Sequence, residues 1–480
     1  MCCALAGKSR YGHTLTITID ILPDDVLLEI FDWCRMGHDP DQTPFSPIWI
    51  WHGLVHVCQR WRQLVFGSPR RLDLQIFCTN GTPVMENLDF WPPLPIAIHY
   101  TDQVAFTDGD EDSLFTALKH PDRVRHIHLS LSCDELLEVF AVMKQPFPEL
   151  THLWLSSNGP DEPVLPGKFL GGSAPRLQYL GLEYMFFPAP PTLLSTFKYL
   201  EELYLDKTSI SPEAMVSCLV ALPRLKFLFV GVLWNHRRSS LPPVTRTSLP
   251  ALTTFGFQGA NTYLEDVISQ IDSPHLRQIV IDQVNELLDS QVAQLFNFID
   301  LSRDPEMRLF KYADVNFSLR DPSGWVTFMM HSSLEQDLDT ACVGASIWCG
   351  GFEREFSQIA QLFSHPSATH SRILHLKLPF APSGIAGGLG YEWLHLLRQF
   401  STVRTLHVSQ YLAGKISLAL EDIAGETANE ILPDLDLICL DGQPVSRIEK
   451  FLAARQLSGH PVTVIDTEAE FDERVKSYVE

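Results

Sequence analysis

The sequence predicts an α/β protein: a short helical head followed by a long solenoid of alternating strands and helices. Three observations carry this. An apolar unit of the form L-x-x-L-x-L recurs from about residue 124 onward. Its last apolar positions, 129, 155, 182, 205, 230, 257 and 281, are spaced 26, 27, 23, 25, 27 and 24 residues apart. Ahead of the repeats, two stretches between Ile21 and Phe66 carry apolar residues at helical rather than strand spacing. The chain has 480 residues, 45% of them hydrophobic, enough for a substantial core and more than one structural unit.

Taken in order, residues 1–20 read as a loosely ordered lead-in. In Ile21–Phe31 (ILPDDVLLEIF), Pro23 opens a helix, where its missing N–H costs nothing. Asp24, Asp25 and Glu29 sit near the positive end of that helix, and Val26, Leu27, Ile30 and Phe31 recur at helical spacing. In Trp49–Phe66, Leu54, Val57, Cys58, Trp61, Leu64 and Val65 fall on one helical stripe, with Gln59, Arg60, Arg62 and Gln63 opposite.

The pairing of LPDDVLLEIF with VCQRWRQLV resembles an F-box. That family's Leu-Pro, acidic and Ile-Phe pattern, followed by Val-Cys-x-x-Trp-Arg, is matched at Leu22, Pro23, Val26, Leu27, Ile30, Phe31, Val57, Cys58, Trp61 and Arg62. Met36–Ile48 (MGHDPDQTPFSPI) departs from it, being longer and richer in proline than the usual inter-helix loop. The resemblance covers about a tenth of the chain, residues 21–70. It implies that the head binds the Skp-type adaptor of a cullin-RING ubiquitin ligase. Leu22, Pro23, Leu27, Ile30, Phe31, Val57, Cys58 and Trp61 would then make the adaptor contact or the helix packing behind it. Burial alone, as two ordinary amphipathic core helices, is the competing explanation.

Beyond the head, Leu72–Phe77 and Leu94–Tyr100 read as strands. Asn80–Pro83 reads as a turn, Phe90–Pro93 as a loop and Thr107–Glu111 as an acidic loop. The repeat units follow at Val124–Leu129, Leu150–Leu155, Leu177–Leu182, Leu200–Leu205, Leu225–Val230, Leu252–Phe257 and Leu276–Ile281. Their period lies within the 20–29 residues of leucine-rich repeats. Only LTHLWLSSN supplies the asparagine of that pattern, at Asn158, so the convex side is expected to be irregular. Ser132–Lys144 and Ser211–Leu222 carry helical spacing, with Asp134 and Ser211 as candidate N-caps. Leu309–Val315 is a weaker copy, and residues 318–357 cannot be phased. The unit resumes at Ile373–Leu378, Val403–Val408 and Leu435–Leu440, around a Gly-rich loop at Phe380–Gly390.

The solenoid is thus expected over residues 71–442. From 443 to 480 a helix, a short strand and an acidic helix would cap its open end. A head of this kind before such repeats is similar to the F-box/leucine-rich-repeat proteins, and the diverged repeats look most like the F-box families of mushroom-forming fungi.

A formal charge of −22 with no long Lys/Arg run argues against nucleic acid as a partner. No apolar run of about 18 residues is present, so no membrane-spanning helix is expected. The first 20 residues lack a signal-peptide core. The ten cysteines are scattered, without C-x-x-C or zinc spacing, as befits free thiols in a cytoplasmic or nuclear protein. There is no P-loop, no G-x-S-x-G elbow and no kinase motif set, and no cofactor is implied.

Within each L-x-x-L-x-L strand the intervening residues face away from the core. They are His126, His128, His152, Trp154, Tyr179, Glu183, Glu202, Tyr204, Asp206, Phe227 and Phe229. Of these, His152, Trp154, Tyr179, Glu202, Tyr204, Phe227 and Phe229 are the candidate contacts for a protein substrate. Aromatics supply hot spots, and carboxylates favour a basic segment. Alternatively a loop or the C-terminal tail covers them. His126, His128 and His152 could hold a metal, although unliganded strand histidines are far commoner. The expected function is a non-catalytic substrate receptor of a ubiquitin ligase; the alternative is a scaffold outside any ligase.

Overall fold

The computed structural model describes residues 5–6, 16–17, 19–36, 50–80, 84–101, 106–159, 161–186, 193–232, 246–285, 287–302, 304–308, 310–317, 324–333, 340–349, 352–364, 373–379, 390–421, 423, 427–440, 448–465 and 475. The proline-rich stretch after Met36, nearly all of the Gly-rich loop and the acidic tail helix, apart from Val475, lie outside them.

At the N-terminus, β1 (Leu5–Ala6) and β2 (Thr16–Ile17) form a short antiparallel pair within the lead-in. The head follows as α1 (Asp24–Met36), α2 (Ile50–Val55) and α3 (Gln59–Gly67). Both predicted helical stretches are therefore helical, the second broken in two by a turn at His56–Val57.

Beyond the head the described residues are organised around a 16-stranded sheet. β3 (Ile76–Thr79), β4 (Ile96–Tyr100), β5 (Val124–Leu131), β6 (His152–Ser157), β7 (Tyr179–Glu183), β8 (Glu202–Asp206) and β9 (Phe227–Gly231) lie side by side in chain order, all parallel. β10 (Thr247–Ser248) pairs instead with β12 (Ile271–Asp272) in a small separate sheet. The main sheet continues through β11 (Thr254–Gln258) and β13 (Gln278–Asn285).

Chain order then breaks. β14 (Tyr312–Phe317), β15 (Gly324–His331) and β16 (Cys342–Cys349) form an antiparallel meander inserted in reverse, so that β16 lies beside β13. β14 hands the sheet on to β17 (His375–Leu378), β18 (Thr405–Val408), β19 (Leu437–Leu440) and β20 (Thr463–Ile465), again parallel. This meander is why residues 318–357 resist phasing: a hairpin strand has period 2 but no crossover segment to set a repeat length.

Connections cross one side of the sheet. They include α4 (Val84–Phe90), α5 (Asp108–Leu118), α6 (Cys133–Val142), α7 (Pro212–Leu219), α8 (Asn261–Gln270) and α9 (Asp289–Asp300). Further along come α10 (Phe352–Ser364), α11 (Gly390–Leu397), α12 (Gln410–Glu421), α13 (Thr427–Glu430) and α14 (Glu449–Leu457). After β6 and β7 the described residues form only single 3-10 turns, at Phe169–Gly172 and Leu194–Thr196, so this side is irregular as expected.

Several local expectations are corrected. The acidic Thr107–Glu111 is a helix start, not a loop: Thr107 and Asp110 form a reciprocal capping box on α5. The cap of α6 is Ser132, not Asp134, because Glu135 answers it from three residues on. Ser211 does cap α7. The strand expected at Leu72–Phe77, β3, begins at Ile76 rather than Leu72, since Asp73 takes a left-handed φ of 46° that no strand accommodates. Helix α4 occupies the stretch between the expected turn, most of which lies outside the described residues, and the expected loop, and takes Phe90 from the latter.

Alternate strand residues, such as Ile127, Leu129, Leu153, Leu155, Leu180 and Leu182, are buried beneath the helices. One hydrophobic cluster runs from Leu27 in α1 to Phe451 in α14, so head and solenoid share a core. Trp91 joins them: its ring lies 5.6 Å from Trp51, 5.4 Å from Phe66 and 6.1 Å from His56.

Candidate partner-binding surfaces

The head offers two apolar faces on α1. Leu27 and Phe31 face inward and are buried, Phe31 meeting Trp61 of α3 with ring centroids 4.7 Å apart. Arg60 ties α3 to the start of α1, donating to Asp24 Oδ1 at 2.6 Å and to the Leu22 carbonyl at 2.6 Å. Cys58 is the N-cap of α3, its sulfur accepting the Trp61 amide at 3.5 Å.

Of the eight residues expected at an adaptor contact, Leu27, Phe31 and Trp61 are therefore core. Leu22, Ile30 and Cys58 are half-buried, and Pro23 and Val57 are exposed. The outward face of α1 carries Val26 (38% exposed), half-buried Ile30 and Trp33 (79%), spaced i, i+4 and i+7. Trp33 extends the stripe beyond the F-box-like residues, and its seven-residue offset from Val26 was the available sequence signal.

The second surface is the side of the sheet opposite the helices. Strand register aligns its residues in rows across the molecule. One row reads His126, His152, Tyr179, Glu202, Phe227, Thr254 and Gln278. The next reads His99, His128, Trp154, Gly181, Tyr204, Phe229, Gly256, Val280, Gly344 and Met329. All seven candidate substrate contacts lie in these two rows.

In the second row the rings form a ladder. His99 and His128 stack at 4.7 Å, His128 and Trp154 at 5.8 Å, and Tyr204 and Phe229 at 4.4 Å with planes only 7° apart. Trp154 reaches Tyr204, at 5.0 Å, across Gly181. A Cβ on Gly181 would fall 2.1 Å from the indole, so only glycine leaves the ring this place. Gly256 makes the same room for Phe229. Ring faces are consumed by stacking, and ring edges form the floor.

Beyond Trp154 a groove of about 640 Å³ opens between His128, Ser130, Ser156, Asn158, Glu183 and Tyr184. Glu183 accepts from Ser156 Oγ at 3.0 Å and pairs with Lys207 at 3.2 Å. Lys207 also lies 3.5 Å from Asp206 Oδ2 and 4.4 Å from the Tyr184 ring centroid. Burial pushes the Asp206 carboxyl up against the pull of Lys207, and burial likewise raises Glu202. Burial holds His126 and His128 down to about 4, helped by His152 and His99 respectively, so the histidine end of the ladder is neutral at pH 7. Among the described residues no group of three or more His, Cys, Asp or Glu could hold a metal ion. No helix among them is long and apolar enough to cross a membrane.

The sheet surface changes character along its length. On β19 and β20, Leu437, Cys439 and Ile465 are buried in a separate cluster with Tyr312 and Val475 of the C-terminal segment. Val475 thus packs on the C-terminal strands, away from the candidate contacts on β6–β9. The aromatic rows of β5–β13 remain partly open. Sequence reading missed His99, Val280 and Met329. His99 and Val280 alternate with core residues in IAIHY and QIVI, and that alternation was the signal.

No family model matches this chain, and no curated protein matches it. Among solved structures it is similar to the TLR13–ssRNA13 complex, at 12% identity and a TM-score of 0.31, over 75% of this chain and 44% of that one. It is also similar to the leucine-rich repeat-containing protein LegL7 from Legionella pneumophila, at 12% identity and 0.25, over 81% and 99%. A leucine-rich-repeat protein of Leptospira interrogans gives 14% and 0.21, over 73% and 98%. The chain thus spans less than half of the TLR13 chain. The repeat-solenoid fold rests on the register of the strands themselves.

Proposed function

We propose that this chain is a receptor holding two proteins at once, with a Skp-type adaptor of a cullin ligase on the head and a protein substrate on the open part of the sheet surface. The observation that carries the reading is the division of α1 into a core-facing Leu27/Phe31 side and an outward Val26/Ile30/Trp33 side. A helix that serves burial alone needs only the first. An outward stripe beside exposed Pro23 and Val57 is what a groove-binding helix presents. On this reading the protein performs no bond chemistry. It raises the effective concentration of a substrate lysine beside the ligase's charged conjugating enzyme. Carboxylates on the sheet surface disfavour a polyanion there.

The test is capture of purified adaptor by the full chain, beside Val26→Asp. Val26 is exposed enough that the variant should fold, which circular dichroism checks. Capture by the parent with at least a tenfold loss in Val26→Asp supports the receptor, since one buried charge in such a stripe costs about that much. No capture by either leaves the second reading, a scaffold outside any ligase, which the shared core of head and solenoid also suits.

A further inference from the structure

The sheet surface between β6 and β13 has a charge pattern with a consequence for its partner. Every formally charged residue of this face on those strands is acidic: Glu183, Glu202, Asp206 and Asp282. The nearest cation, Lys207, is already held by Glu183, Asp206 and the Tyr184 ring. Lys226, at the rim, is paired with Glu201 at 2.7 Å. Asp206 is 94% enclosed by the protein (6% exposed), and its Oδ1, lying over Gly231, accepts no hydrogen bond. Asp206 is thus closed to a partner's side chain and acts as a fixed negative charge behind exposed Glu202, which a cation brought by another molecule can reach. Beside these groups lies an apolar strip: Phe229, then Val280 (43% exposed), and Met329 (37%), whose side chain lies against Gly344.

We propose that this face takes an extended basic segment of a partner protein, its cationic side chains on Glu202, within the field of Glu183 and Asp206, and its apolar side chains on Phe229, Val280 and Met329. This rests on the receptor reading and deepens it by naming the chemistry of the partner. The length follows from the fold. From β5 to β15 there are eight strand spacings of about 4.8 Å, or about 38 Å, which about eleven extended residues cross. At the far end, burial of Tyr312 with Val475 closes the track. Upright ring stacking leaves few ring faces for a cation, so charge recognition falls to the carboxylates and not to an aromatic cage.

The experiment uses the full chain and three labelled peptides of about twelve residues. One alternates Lys with Leu, one Ser with Leu and one Glu with Leu, and binding is read by fluorescence anisotropy. The expected result is binding of the Lys–Leu peptide alone. It should weaken about fivefold in Glu202→Gln and at least tenfold in Val280→Arg, each at an exposed position that should not disturb folding. It should be unchanged in Glu138→Gln, on the outer side of α6. Equal loss in Glu138→Gln would mean general attraction to an acidic chain and would overturn the proposal, as would failure of the Lys–Leu peptide to bind. Equal binding of the Ser–Leu peptide would overturn the cationic requirement while leaving a partner surface in place. Adaptor capture reads only the head, so the two proposals fail separately.

Discussion

Burial holds His126, His128 and His375 down to about 4, with His152, His99, and Lys311 and Arg404 adding to the effect in turn. His375 is nearly inaccessible, its Nδ1 2.8 Å from Thr405 Oγ1. All three are neutral in the folded chain, whereas the unfolded chain protonates them near 6.5. The unfolded state therefore binds more protons between about pH 6.5 and 4, and stability is lost as pH falls through that window. The slope should approach about 1.4 kcal/mol per pH unit for each fully buried histidine, and less for the two on the open face. Thermal unfolding followed from pH 8 to pH 4 checks this, and His375→Asn should flatten the curve. Histidines 126 and 128 were legible as surface-row residues because they alternate with Ile127 and Leu129. Their neutrality was not, since it depends first on their burial in the folded sheet and then on His152 and His99, which only strand register brings alongside.

At the scale of elements, the C-terminal cap hangs on one side chain. Arg455 of α14 is buried and donates to the carbonyls of Pro433 at 2.8 Å and Leu435 at 3.1 Å, just after Leu432 takes a left-handed φ of 48°. Removing it orphans two acceptors beneath the last strands. Arg455→Ala should cost about 2–3 kcal/mol and be seen first as lost hydrogen-exchange protection in β19 and β20. The parallel repeat strands were readable because each follows one period, as were the head helices, α6, α7 and α14; α8–α13 were not, because their apolar positions merge with those of the flanking strands. Capping was read less well: Ser132 outcompetes Asp134 through Glu135, a reciprocity that a single-residue preference does not capture. Helix α4 was invisible because it is short and sits between turn-forming residues.

At the scale of the whole molecule, the sequence spacing predicts a continuous solenoid, and the sheet is continuous, but its strand order is not. The reversal of β14–β16 was beyond reach because it replaces a crossover with a hairpin and leaves no apolar signature of its partner. A chain ending after Ser302 would keep β3–β13 but leave the eight-residue β13 as a bare edge. Such edges pair with one another, so this fragment should self-associate in light scattering where the full chain does not. Trp91, wedged between Trp51, His56 and Phe66, bears on a different property. It fastens the head to the first strands, so the spacing between α1 and the sheet surface is set by packing and not by a linker.

The same reversal also governs the order in which the protein can be built. Up to β13 each new strand meets its neighbour soon after leaving the ribosome. β13 then waits for Cys342–Cys349, and β14, made first, must stand apart until its hairpin partner arrives. At about 5–20 residues per second this pause lasts some seconds. During it the nascent chain displays an unpaired edge, and a chaperone that recognises bare strands has its one clear opportunity at this point in translation.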